Sequence, residues 1–204
     1  MHPWRDRLNR WFTPLARHSP LSPNAITLLG LLFNLVAAVA ILEGPAHPIA
    51  FLIAIVLITI AGFADALDGI VARLQNLESR FGDFLDHVCD RISDTLLAAC
   101  WMIANGVREA FLVAAVIAIM LNGYIGTQIE ATFGERNYEP IGRGEFVLAL
   151  IVFPIVSFIL FTNGWSSIVF GGAAIAEWMT LLLLLFALIG ILQRIAVARR
   201  MERS

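Results

Sequence analysis

Six aspartates fall within thirty residues of this chain: Asp65, Asp68, Asp83, Asp86, Asp90 and Asp94. Asp65 and Asp68 stand three apart, and Asp86 and Asp90 four apart, the spacings that put two side chains on one face of a helix. Each pair belongs to an apolar run, and the connection Leu74–Phe81 between the runs is short. The two helices are therefore antiparallel neighbours, and four carboxylates can converge on one point near a membrane interface. An Asp at the centre of a spanning helix costs about 2.5–3.5 kcal/mol, and four like charges also repel. A hard divalent cation resolves both problems, because Mg²⁺ takes carboxylate oxygens and leaves positions open for substrate phosphates. No His or thiolate belongs to the set, which favours Mg²⁺ or Mn²⁺. The chemistry such a cluster supports is displacement at phosphorus: metal ions stabilise developing charge, and a carboxylate beside an attacking hydroxyl removes its proton.

The neighbouring residues suit a phosphorylated ligand. Gly69 and Ala72 bracket the first acidic pair and leave no bulky side chain where a ligand approaches, although close helix–helix contact is the structural alternative for both. Arg73 offers a planar, bidentate donor for a phosphate. Asp83 opens its helix and suits the helix dipole, while Asp94 extends the Asp86–Asp90 face by one turn. His87 points about 100° away from Asp86 on the helical wheel and is not read as a ligand.

These side chains need elements to hold them. The chain has 204 residues, 59% hydrophobic and 15% charged, outside the range of ordinary soluble domains on both counts. A formal charge of −2 argues against nucleic acid as a partner. Six long apolar stretches run approximately 24–42, 49–64, 84–104, 110–129, 146–161 and 174–197, most near the twenty residues a helix needs to cross the hydrocarbon core. The expected fold is all-α, with six transmembrane helices. Residues 1–20 have no spanning run; Trp4, Leu8, Trp11, Phe12 and Leu15 recur at helical spacing among arginines, as in an amphipathic helix lying on the membrane plane. Residues 21–204 then form the membrane domain. Ser22-Pro23 reads as N-cap and first-turn Pro of the first spanning helix, and Pro154 falls inside the fifth, where it should kink the helix. Cys89 and Cys100 are eleven apart on one helix, roughly 16 Å along its axis, too far to pair. All 14 basic residues are Arg, and only Arg108 lies on the side opposite the others. Both termini are therefore expected in the cytoplasm, with the acidic site facing it, in what reads as a bacterial inner membrane.

The run Asp65-x-x-Asp68-Gly69-x-x-Ala72-Arg73-x8-Gly82-x3-Asp86-x3-Asp90 resembles, at every position, the signature of the CDP-alcohol phosphatidyltransferase family. The family's six-helix core behind an interfacial helix is also similar. Ser22-Pro23-Asn24-Ala25-Ile26-Thr27 is similar to the Pro-Asn-x-x-Thr stretch these enzymes often carry. The resemblance implies that Asp65, Asp68 and Asp86 bind divalent metal, with Asp90 near or on the second ion and acting as general base. It implies that Gly69, Ala72 and Gly82 leave room for the cytidine diphosphate, that Arg73 helps hold it, and that Asn24 and Thr27 belong to the donor site. It also implies a homodimer.

The implied reaction moves a phosphatidyl group from CDP-diacylglycerol, or a similar CDP-linked lipid, to the hydroxyl of a small polar alcohol, with release of CMP. Glycerol 3-phosphate, inositol phosphate and serine are candidate acceptors. Arg136 and Arg143, in the loop on the same side as the aspartates, could hold an acceptor phosphate, or could merely obey the positive-inside rule. The chain lacks the lysines of a Gly-Lys-x-Lys-Thr-like stretch seen in glycerophosphate users, and Gly142–Glu145 looks more like the Gly-x-x-Glu pattern of inositol-phosphate-type members. Three rivals stand beside this reading: a divalent-cation transporter using the same aspartates, a phosphotransferase of the CDP-choline/ethanolamine type with a lipid acceptor, and a non-catalytic assembly partner. A conduction site would need polar residues reaching the far side, where the loops are apolar, and an inactive member would be expected to have lost an Asp. Asn34, Asn122, Gln128, Glu130 and Glu177 read as interior hydrogen-bonding groups between helices.

Overall fold

A computed structural model describes residues 12–134 and 143–202. Its architecture is six long helices: α1 Pro23–Glu43, α2 Ile49–Leu74, α3 Arg80–Ala104, α4 Glu109–Phe133, α5 Arg143–Thr162 and α6 Ile175–Met201. Just before α6, β1 Val169–Phe170 pairs antiparallel with β2 Ala173–Ala174, a small hairpin that the hydrophobic pattern had not suggested. Among the described helices α1, α2, α4 and α6 are long and apolar enough to cross a membrane, and the apolar part of α5, Leu148–Thr162, is shorter. Charge sets α3 apart, because Arg80, Asp83, Asp86, Asp90, Arg91 and Asp94 all lie on it.

The helix ends follow local chemistry. Ser22 caps α1 by accepting a hydrogen bond from the Ala25 amide, with Pro23 in the first turn, as expected. Ser79 does the same for α3 through the Gly82 amide. The C-terminus of α4 is closed by Gly134 at φ 73°, a left-handed position that only Gly takes freely. The helical assignment of α5 continues through Pro154.

The bundle buries small residues and turns large ones outward. Ala37, Ala54 and Ala115 are fully enclosed, whereas Leu32, Val39, Val56, Ile117 and Leu192 are exposed. In water such an exterior would aggregate, and in lipid it is the expected solvent-facing surface. Helix α1 packs against both α2 and α3, α4 packs with α6, and α3 joins the two groups through α4 while α2 contacts α5. The core between them centres on Trp101, whose ring meets Phe153 and whose Nε1 donates to Ser157 Oγ.

Residues 1–11 of the expected interfacial segment lie outside the described residues. Its end, 12–17, is helical and anchored. Ala16 is fully buried against Ile26, Ile70 and Val71, and Gln75 Nε2 donates to the Ala16 carbonyl.

Candidate active site

Helix α2 continues ten residues beyond its expected end at 64, so Asp65 and Asp68 sit within an unbroken helix and face α3 as the i, i+3 spacing requires. Asp86 and Asp90 stand in the second and third turns of α3, opposite them. One carboxylate oxygen from each of Asp65, Asp86 and Asp90 lies within 4.8 Å of the others, close enough for one cation to contact all three. That oxygen-only donor set fits Mg²⁺ or Mn²⁺. Asp68 and Asp90 are buried, and both line the same cavity as Asp65 and Asp86. Thr27 Oγ1 donates to Asp68 Oδ2 at 2.6 Å, tying α1 to the acidic wall. Asp94 is buried at the inner side of the cavity, 3.5 Å from Arg91.

The remaining expected donor-site residues lie at the same ends of α1, α2 and α3 as the aspartates. A side chain at Gly82 would meet Asn24 Oδ1 and Ser79 Oγ at 3.1 Å, so even a methyl group is tight between α3 and the start of α1 there. The space above Gly69 is filled by the Arg73 guanidinium, 3.6 Å from where a Cβ would stand. Arg73 itself is exposed, and Ala72 is half-buried one residue before it. Arg136 and the side chain of Arg143 lie outside the described residues.

Two arginines that the sequence had offered only as topology markers come together beside the site. Arg91 lies against Gly123 and Arg194 against Gly126, so both guanidinium groups cover one face of α4. Arg194 Nε donates to Asn122 Oδ1 at 2.9 Å, and Arg91 Nε is enclosed without a hydrogen-bond partner among the described residues. The i, i+3 spacing of Gly123 and Gly126 was the available signal, since two long side chains need two missing ones to lie against a helix. His87, set aside as a ligand of the Asp cluster, reaches toward Asp83 and Glu130 instead, at 3.9 Å from each. Of the other polar groups expected inside the bundle, Glu177 pairs with Arg108 and accepts from the Ala174 amide, whereas Gln128 is exposed and donates to Thr132 one turn along α4, not to another helix.

The sequence profile of the CDP-alcohol phosphatidyltransferases matches residues 20–188. The chain belongs to the CDP-alcohol phosphatidyltransferase family. Within it, an archaetidylinositol phosphate synthase of Aeropyrum pernix is 32% identical over 183 residues, covering 88% of this chain and 89% of that one. A phosphatidylinositol phosphate synthase of Mycobacterium marinum is also 32% identical, over 62% of this chain, and the match spans 55% of that relative's length. The Mycobacterium tuberculosis phosphatidylinositol phosphate synthase solved with CDP-DAG bound is 27% identical, with a TM-score of 0.64 and coverage of 93% and 94%. The same enzyme solved with manganese and citrate has a TM-score of 0.69 at 24% identity, with coverage of 92% and 88%, a likeness of fold. Family and exterior together make this an integral membrane protein.

Proposed function

We propose that this protein transfers a phosphatidyl group from CDP-diacylglycerol to the hydroxyl of a small polar alcohol and releases CMP. The observation that carries the reading is the convergence of Asp65, Asp86 and Asp90, with Asp68 beside them, on one cavity at the adjoining ends of α2 and α3. Asp65, Asp68 and Asp86 would hold divalent metal, Mg²⁺ or Mn²⁺ and two ions in all, with Asp90 near or on the second. When bound, the metal supplies charge stabilisation at the diphosphate oxygens. Arg73 grips the diphosphate, Gly69, Ala72 and Gly82 leave it room, and Asn24 and Thr27 border its site. The acceptor hydroxyl forms a new bond to the lipid-linked phosphorus, the bond from that phosphorus to the bridging oxygen breaks, and CMP leaves with that oxygen. Asp90 takes the hydroxyl proton.

The acceptor favoured here is an inositol phosphate. Relatives named phosphatidylinositol phosphate synthase and archaetidylinositol phosphate synthase support it, as do Arg91, 3.5 Å from Asp94 of the cavity wall, and Arg194 along the same face of α4, two guanidinium groups by which a phosphomonoester could be held. Arg136 and Arg143 remain further candidates for the same phosphate. The wider reading is of six spanning helices in residues 21–204, an interfacial helix in 1–20, both termini and the site on the cytoplasmic side of a bacterial inner membrane, and a homodimer. The arginine asymmetry supports the orientation.

The test is purified protein with Mg²⁺, CDP-diacylglycerol and separate acceptors: inositol phosphate, glycerol 3-phosphate, serine and inositol. CMP release that depends on inositol phosphate is expected. Release with another acceptor alone refutes the inositol assignment, and no release with any of them, or with diacylglycerol and CDP-choline as a control pair, refutes the transferase reading.

A further inference from the structure

Asn34 lies on α1 seven residues beyond Thr27, on the same helix face and about 10 Å deeper along the axis. Its side chain lines the cavity of the four aspartates, together with Ser93 and Asp94. Below that level the lining turns apolar, with Ile58, Leu97 and Leu150. Asn34 is thus the last polar group on the α1 wall before the hydrocarbon side of the cavity. Its Oδ1 is enclosed and has no hydrogen-bond partner among the described residues. Other half-buried amides between the helices are engaged: Asn105 serves Trp101 and Ser157, Asn122 serves Arg194, and Gln75 serves Ala16. A buried amide without a partner is a cost that native structures avoid unless something else satisfies the group.

We infer that the Asn34 side chain is the hydrogen-bonding contact for the glycerol-ester portion of the lipid donor, an assignment that rests on the transferase reading above. Depth and direction select the donor. The paired arginines that suit a phosphorylated acceptor lie over α4, across α3 from Asn34. A donor held by its diphosphate at the acidic ring must pass its glycerol backbone inward, along the wall that carries Asn34, for its chains to reach the lipid. The ester carbonyls are the only uncharged polar groups it presents at that depth. An ester carbonyl accepts a hydrogen bond, and the amide meets it with Nδ2. The two ends of an Asn amide exchange by a half-turn about χ2, and among the described residues no partner holds Oδ1 to fix which end points inward. An ether-linked chain has no such carbonyl, so the same contact discriminates diester from diether donors.

The experiment compares CDP-diacylglycerol with CDP-dialkylglycerol, its ether-linked analogue of matched chain length, as donors to wild type and Asn34→Leu, reading kcat/KM from CMP release. Wild type is expected to prefer the diester, and Asn34→Leu to reduce that preference by roughly tenfold through a higher KM for the diester alone, the size of one lost hydrogen bond. Acceptor KM should not move. Asn34→Ala is read the same way should the leucine variant not fold. A preference ratio unchanged by both variants, or equal losses with both donors, overturns the inference while leaving the transferase reading intact. A wild type that releases CMP from neither donor overturns that reading instead.

Discussion

At the scale of single residues, the four cavity aspartates differ in their surroundings. One oxygen of Asp68 is engaged by Thr27, while Asp65, Asp86 and Asp90 hold oxygens in mutual reach. Asp90 lies one turn deeper than Asp86, about 6 Å along the axis, and is the carboxylate proposed above as general base. General-base help is worth about 10²–10⁴-fold. Asp90→Asn is therefore expected to lower turnover by that range and to leave CDP-donor binding largely in place, whereas Asp68→Asn lowers both. Parallel measurement of CMP release and donor affinity checks this; equal loss of donor binding in both variants would mean that Asp90 is chiefly a ligand. With oxygen donors alone, chelation of divalent metal is expected to abolish turnover, and Mg²⁺ or Mn²⁺ to restore it, where Zn²⁺ at the same free concentration does not.

At the scale of helices, close approach between α1 and α2 brings Thr27 to Asp68. Gly30, one turn deeper, allows it: a Cβ there would touch the Ala61 carbonyl and Ala64 at 3.5 Å, ordinary contact for a methyl group but no room for more. Gly30→Ala is expected to fold with near wild-type stability. Gly30→Leu overpacks the seam and should destabilise by about 2 kcal/mol, with turnover falling further than stability because the Thr27–Asp68 contact opens. Thermal unfolding in detergent beside CMP release separates the two effects; a leucine variant as stable as the alanine one would show that the seam is loose.

At the scale of the molecule, orientation is the property with the most consequence for function, since a CDP-linked donor is made in the cytoplasm. Both native thiols, Cys89 and Cys100, are buried, which leaves a quiet background for labelling. Ala46→Cys lies in the α1–α2 connection and Glu78→Cys in the α2–α3 connection, both exposed. In inverted membrane vesicles a membrane-impermeant thiol reagent is expected to label Glu78→Cys and to spare Ala46→Cys. The reverse pattern would place the aspartate cavity on the outer face.

Much of this was determined by local chemistry and is therefore legible in the chain. Ser22-Pro23 had to open a helix, because its hydroxyl and its fixed φ act within one turn. The helices had to be apolar on the outside, because lipid gives no reward for polar surface. Asp65 and Asp68, and Asp86 and Asp90, had to share a face in pairs, because helical period alone sets that. Tertiary packing decided what period cannot reach. It set which carboxylates close to within 4.8 Å and which one takes Thr27 instead, because those distances depend on how closely α1, α2 and α3 approach. It turned Arg91 and Arg194 from topology markers into a pair over Gly123 and Gly126, residues far apart in sequence on three helices. It also left Asn34 facing the cavity with its Oδ1 unpartnered among the described residues: the chain could say that an amide lay inside the bundle, but only the packing of the neighbouring helices decided whether anything would answer it.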